Sequence, residues 1–215
     1  MSDVVVYTAI FGDRDSFRPP PDLPYDFRIF TDSKEFSTKE PRAIYTPFLV
    51  PGDLARSVRV VKSMPHIFLP GYKKWIWFDS SFDIKPGADL TEMVRRAGQI
   101  GAFPHHERVC VYDEAKICID WKLDDAGVIN AQMKRYRDQY RYPVRGGLAA
   151  GGVLVRENNP KICQFNENWW TEIALNSRRD QLSLSVMIRH LELPLVYLGS
   201  SIENPWFVYV GHKKH

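Results

Sequence analysis

Apolar and polar stretches alternate along this chain in two rhythms, one strand-like and one helix-like. Val4 to Ile10 is a continuous, mostly β-branched run that stops at the turn signal Phe11-Gly12-Asp13. Phe27 to Thr31 predicts a second strand, ending at Asp32, and Ala43 to Thr46 a third. Pro19-Pro20-Pro21 demands a loop between the first two. Ser33 to Pro41 reads as a polar connector and Pro47 to Gly52 as a loop. Leu54 to Met64 has the helical period. Leu54, Val58 and Val61 share one face and Arg56, Arg59 and Lys62 another, and Pro65 limits the helix.

The run Lys74-Trp75-Ile76-Trp77-Phe78 predicts a buried strand that breaks off in Asp79-Ser80-Ser81, after which Phe82 and Ile84 keep an extended pattern. Leu90 to Ala97 predicts a short helix, Gln99 to Phe103 a strand and Asp124 to Tyr140 a polar helix, while Ala115 to Lys122 fits either state. Gly151 to Val155 is a glycine-led strand. Pro160 to Asn176, with proline in its first turn, and Asp180 to His190 predict helices. Leu195 to Leu198 predicts a final core strand, and the chain closes on a strand-like run before Gly211. Strands alternating with helices predict an α/β protein built on a mostly parallel sheet. With no repeat and no long linker, residues 1–215 read as one domain, with excision from a longer chain left open.

At 44% apolar residues the composition is that of a globular chain. No stretch of 18 consecutive apolar residues occurs, so no transmembrane helix is expected. The start lacks a basic leader and apolar core, which argues against a secretory signal. A net charge of +3 suits an anionic substrate but is too small for bulk nucleic-acid binding. Three cysteines without CxxC spacing predict reduced, buried thiols, hence a soluble protein of a reducing, cytoplasmic compartment (the host's, if the source is viral).

Three apolar runs stop at or near an aspartate: Asp13, Asp32 and Asp79. Parallel strands gather such residues on the edge where open α/β sheets bind ligands. A carboxylate at the tip of a buried strand needs a cation, a donor or water. Asp79 therefore reads as a ligand of Mg²⁺ or Mn²⁺ beneath a nucleotide diphosphate, since both ions share sites between carboxylate and phosphate oxygens. Ser81 adds a hydroxyl or a water-mediated contact, and Asp83 competes for that place. Asp32 suits a base or ribose contact, and Asp13 an ordinary turn.

His212 is a candidate third metal ligand, with Lys213 beside it for phosphate, against the reading of a plain basic terminus. Arg56, Arg59 and Lys62 are candidate clamps for phosphate or sugar hydroxyls, or else a solvated face. His105-His106-Glu107-Arg108 with Tyr112-Asp113-Glu114 lacks the spacing of a zinc helix and reads as a polar loop touching sugar, chiefly through His106. Gly151 and Gly152 admit a ligand close to the backbone. Asp180 either caps a helix or projects a carboxylate at a sugar.

Taken in order, Val6-Tyr7-Thr8-Ala9-Ile10-Phe11-Gly12, Phe30-Thr31-Asp32, Trp75-Ile76-Trp77-Phe78-Asp79-Ser80-Ser81, His106-Glu107-Arg108 with Tyr112-Asp113-Glu114, and Arg179-Asp180-Gln181 resemble a family. It is the glycosyltransferase-like domain family once catalogued as an uncharacterised domain, with relatives in plants, bacteria and large algal viruses. More distantly the chain is similar to glycosyltransferase family eight. The resemblance spans nearly the whole chain. It implies a GT-A fold, a UDP-sugar donor, a saccharide or glycan acceptor and Mn²⁺ or Mg²⁺. It implies Asp79, Ser81 and His212 as metal ligands, and Thr8, Ala9, Phe11, Asp32 and Ser80 around the donor. It also implies Asp180 and Gln181 as the sugar-facing catalytic pair, and kinship with family eight implies retention of anomeric configuration. Ser81 departs from the pattern, where aspartate is commoner. That departure motivates a competing reading, a non-catalytic nucleotide-sugar or glycan binding module of the same fold. A hydrolase using His105, His106 and Glu107 is a third.

Overall fold

The computed structural model describes residues 2–12 and 15–211. Seven strands form the main sheet: β1 (Val4–Ile10), β2 (Asp26–Thr31), β3 (Ala43–Tyr45), β4 (Lys74–Phe78), β6 (Ile100–Pro104), β7 (Ala149–Glu157) and β8 (Leu195–Tyr197). Their order is β3-β2-β1-β4-β7-β6-β8. A two-stranded ribbon pairs β5 (Phe82–Ile84) with β9 (Phe207–Tyr209). The helices are α1 (Lys34–Lys39), α2 (Leu54–Ser63), α3 (Pro65–Phe68), α4 (Leu90–Arg96), α5 (Val111–Asp120), α6 (Ala126–Asp138), α7 (Pro160–Leu175) and α8 (Gln181–His190).

β1, β2, β3 and β4 run parallel, as the α/β reading predicts, so β1, β2 and β4 end on one edge of the sheet. β7 runs antiparallel to both β4 and β6. It enters beside the end of β4, where Asp79 N–H donates to Gly152 O at 2.8 Å. The period of two explains why the central strands are apolar throughout: both faces are covered. Val5, Tyr7, Trp75 and Trp77 point into one core, under helices such as α7 and α8, while Val4, Val6, Ile76 and Phe78 point into the other.

Two expectations need correction and one open stretch is resolved. The connector at 33–41 contains α1, because Ser33 caps it by accepting from Phe36 N–H at 3.1 Å. The ambiguous stretch is helical from Val111. Leu195–Tyr197 is a half-exposed edge strand rather than core, and β9 follows it. Cys110 and Cys118 are buried and Cys163 half-buried, all three free. Among the described residues no helix is long and apolar enough to cross a membrane.

Gly152 is where β7 meets the ribbon. A Cβ there would lie 2.6 Å from Phe82 Cε2. Gly152→Ala should therefore lower stability by about 1–3 kcal/mol. Urea unfolding followed by tryptophan fluorescence will measure it, and an unchanged midpoint would mean the ring moves aside freely.

Candidate functional site

A cleft of about 270 Å³ opens at the shared ends of β1 and β4, walled by α2. Asp79, Ser80, Asp15, Lys62, Arg59 and Arg179 supply its polar lining. Asp79 Oδ1 accepts from Trp77 Nε1 at 2.7 Å and from Lys62 Nζ at 3.0 Å. Its side chain stays one-third exposed (34%), so the carboxylate is anchored through one oxygen and open to the cleft. Asp15 comes from the loop after β1 and accepts from Ser80 Oγ at 2.5 Å. Arg18 pins the same turn, reaching Asp83 at 2.6 Å and Ser80 O at 2.5 Å. Asp83, the competitor for the place of Ser81, is thereby paired with Arg18 and does not line the cleft.

Beneath the cleft lies a buried charge cluster. Lys62, only 3% exposed, donates from Nζ to Asp180 Oδ2 at 2.7 Å as well as to Asp79. Arg59 Nε reaches Asp180 Oδ1 at 3.1 Å. Burial pushes the Asp180 carboxyl up, but the Lys62 and Arg59 charges outweigh it and hold the group well below the usual carboxylate range. Asp180 begins α8 without making the capping bond. Gly151 leaves the space this pair needs, since a Cβ there would lie 3.2 Å from Asp180 Oδ2 and 3.3 Å from Lys62 Nζ.

Lys62 is held from behind by Arg156, which is wholly buried with no carboxylate against it. The Arg156 guanidinium donates to Lys62 O, to Ser63 O at 3.1 Å, to Tyr7 Oη at 2.7 Å and to Asn166 Oδ1. Tyr7 O–H in turn donates to Lys62 O at 2.9 Å. Carbonyls at the C-terminal end of a helix lack helical partners and carry the negative end of its dipole. A cation placed there both satisfies and fixes the last turn of α2, and with it the stem of Lys62. Burial pushes Tyr7 up to about 12, with Arg156 pulling the other way, so the hydroxyl stays protonated as this network requires.

The structure brings Ala9, Phe11, Asp79, Ser80, Arg59 and Lys62 to one cleft. Thr8 lines a small adjoining cavity, its buried hydroxyl without a protein partner. Asp32 accepts Gly12 N–H with both oxygens at 3.0 Å and fixes the turn leaving β1.

Other candidates are engaged elsewhere. Arg56 is committed to helix joining: it donates to Ile173 O at 2.9 Å, to Asn176 O at 2.6 Å and to Asp53 at 2.5 Å. Gln181 is engaged by the backbone: Oε1 accepts Gly151 N–H at 3.1 Å and Nε2 donates to Ala149 O. Its side chain acts as an extra strand partner for β7. His106 stands half-exposed, its ring stacked on His105 and away from the cleft. Ser81 is buried and does not line the cleft; its carbonyl accepts Val210 N–H at 2.8 Å. His212, Lys213 and Asp13 lie outside the described residues.

Two charged lining residues escaped the sequence reading. Asp15 follows Asp13 by two positions in a loop whose course no periodicity reveals. Arg179 stood in a motif but was given no role, and it lines the cleft beside Arg59.

The donor set suits a hard divalent cation. Among the described residues no group of three or more His, Cys, Asp or Glu forms a ready metal cage. Asp79 and Asp15 nonetheless line one cleft, linked through Ser80. Two carboxylates with room for phosphate oxygens are what Mg²⁺ and Mn²⁺ use when they bind together with a nucleotide.

A family model described as TOD1/MUCI70, glycosyltransferase-like domain, matches residues 45–200. No curated protein sequence matches the chain significantly. Among solved structures, mouse xyloside xylosyltransferase 1 in its apo form superposes with a TM-score of 0.51 at 9% identity, covering 90% of this chain and 84% of that one. The apo bifunctional glycosyltransferase WbbM superposes with a TM-score of 0.46 at 11% identity. That alignment takes in 92% of this chain, which spans only 39% of WbbM. At such identities the likeness to xylosyltransferase 1 speaks for the fold.

Proposed function

The chain belongs to the TOD1/MUCI70 family of glycosyltransferase-like domains, and from that premise we propose that it moves a sugar from a UDP-linked donor to a saccharide or glycan acceptor with the help of Mn²⁺ or Mg²⁺. The observation that carries this reading is that Asp79 and Asp15 line one cleft at the parallel strand ends, joined through Ser80. In this proposal Asp79 and Asp15 hold the cation, and Asp15 takes the place the motif would give to Ser81. The family pattern adds His212. The Val210 N–H bond to Ser81 O supports that addition by bringing the chain, two residues earlier, to the turn that carries Asp79.

When bound, the cation supplies positive charge for the departing diphosphate. The chain's own groups do the rest. Trp77 and Lys62 aim Asp79, while Ala9 and Phe11 give the donor an apolar wall. Arg59 and Lys62 add positive charge that is already oriented before the donor arrives. Asp180 is the wrong group for a general base, being buried under two cations that keep it ionised and weakly basic. In this proposal it positions Lys62, a role that sits better with a retaining course than with an inverting one.

A panel of nucleotide sugars, incubated with and without Mn²⁺ and read by released UDP, tests the proposal. Release from at least one UDP-sugar, dependent on the ion, is the expected result. Binding of UDP without turnover on any donor or acceptor would establish the binding-module reading instead. Absence of UDP binding would remove both.

A further inference from the structure

The cleft does not end at Arg59. It continues into a second hollow of about 360 Å³ that shares Leu54, Ala55, Arg59 and Arg179 with it and adds Arg178 and the start of α2. The two ends differ in charge. Asp15 and Asp79 lie only in the first, beside Lys62, Arg59 and Arg179, while the second sets Arg59, Arg178 and Arg179 against the single acid Asp53.

Their positive charge is only partly matched. Arg59 is paired with Asp180. Arg178, 43% exposed, makes long contacts, 3.6 Å to Asp124 and 3.5 Å to Leu123 O. Arg179 keeps a buried Nε without a hydrogen-bond partner. Asp53, the acid of this hollow, is already held by Arg56 at 2.5 Å. The N-terminus of α2 adds the positive end of a ten-residue helix. Guanidiniums gathered in a concavity beside a helix start favour an anion with fork geometry.

We propose that this basic extension binds an anionic group on the acceptor, either a uronate carboxylate or a sugar phosphate. The proposal rests on the glycosyltransferase reading for the identity of the ligand. On that reading the donor's diphosphate would take the end that carries Asp79 and Asp15, the residues that would hold a cation with it. The basic end, reached past Arg59, then faces whatever enters opposite the donor. An acidic acceptor laid along α2 would place its charge among Arg178, Arg179 and Arg59.

Calorimetric titration of the full chain with a uronic-acid oligosaccharide, its carboxyl-reduced counterpart and a hexose 6-phosphate tests this. At least one of the two anionic probes should bind with salt-sensitive affinity, its identity telling carboxylate from phosphate, and the reduced sugar should bind far more weakly. Arg178→Gln, an exposed change, should weaken the anionic probe about ten-fold, the loss expected for one charge-assisted contact. The same variant should leave UDP binding with Mn²⁺ untouched. Equal binding of acidic and reduced oligosaccharides, failure of both anionic probes, or an Arg178→Gln protein that loses UDP instead would overturn the proposal. UDP binding, measured in parallel, reports separately on the donor site.

Discussion

Lys62→Met should cost the fold about 3 kcal/mol, near the lower end for breaking a buried ion pair. Lys62 is 3% exposed and its ammonium serves two carboxylates. Removing it leaves Asp180 buried with Arg59 as its remaining close partner. The size of the loss comes from the carboxylate left behind rather than from the net worth of the pair. The double variant Lys62→Met/Asp180→Leu should therefore regain much of the stability, although its activity would not return. Urea unfolding of the four members of this cycle gives the coupling directly. A single variant as stable as the parent would mean that water reaches Asp180.

The same cluster sets an acid limb. The folded-state pKa of Asp180 lies below its ordinary value, so near pH 4 the unfolded chain binds more protons there than the folded one. The stabilisation is complete above about pH 4 and is lost as pH falls toward the folded pKa. Without Lys62 the burial cost is less opposed and the folded pKa rises. The Asp180 contribution to the acid limb of Lys62→Met should then be smaller and be fully lost at a higher pH than in the parent.

How far the chain disclosed this arrangement depends on where each signal lies. Strand ends were legible because β1, β2 and β4 are short apolar runs halted by polar residues, and the run of Asp79 gave the site's location. The α2 face was legible only as a row of positive charge, for a physical reason. Arg56, Arg59 and Lys62 look alike as positive positions, yet each meets a different neighbour: α7, Asp180, and the pair Asp79 and Asp180. Nothing local to the helix distinguishes them. Arg156 was invisible for a related reason, since a charged residue in a strand gives no hint that helix-end carbonyls wait above it. Gln181 was taken for a sugar contact from its motif, whereas its amide pairs with the backbone of β7. Asp15 required the course of a loop, which binary patterning does not encode.

Asp79→Asn is the variant that separates the cation's role from every structural one. The amide oxygen can still accept from Trp77 Nε1, and Lys62 still has Asp180, so the unliganded protein should melt close to the parent. Ligand response is where the difference appears. A parent site held at a hundredfold excess of UDP with Mn²⁺ over its Kd gains about 2.7 kcal/mol, or about 6–10 °C for a domain of this size. On the proposed reading the variant lacks the charge that would hold the ion, so that rise should vanish while a small manganese-independent effect of UDP remains. Transfer should fall about a thousandfold or more, because electrostatic stabilisation of the leaving group is the term being removed. A variant that keeps the full manganese-dependent rise would place the ion on Asp15 and residues other than Asp79. A variant that melts early even without ligand would mean the carboxylate chiefly serves to neutralise Lys62. Melting curves with UDP alone, manganese alone and both together distinguish these outcomes before any donor sugar is identified.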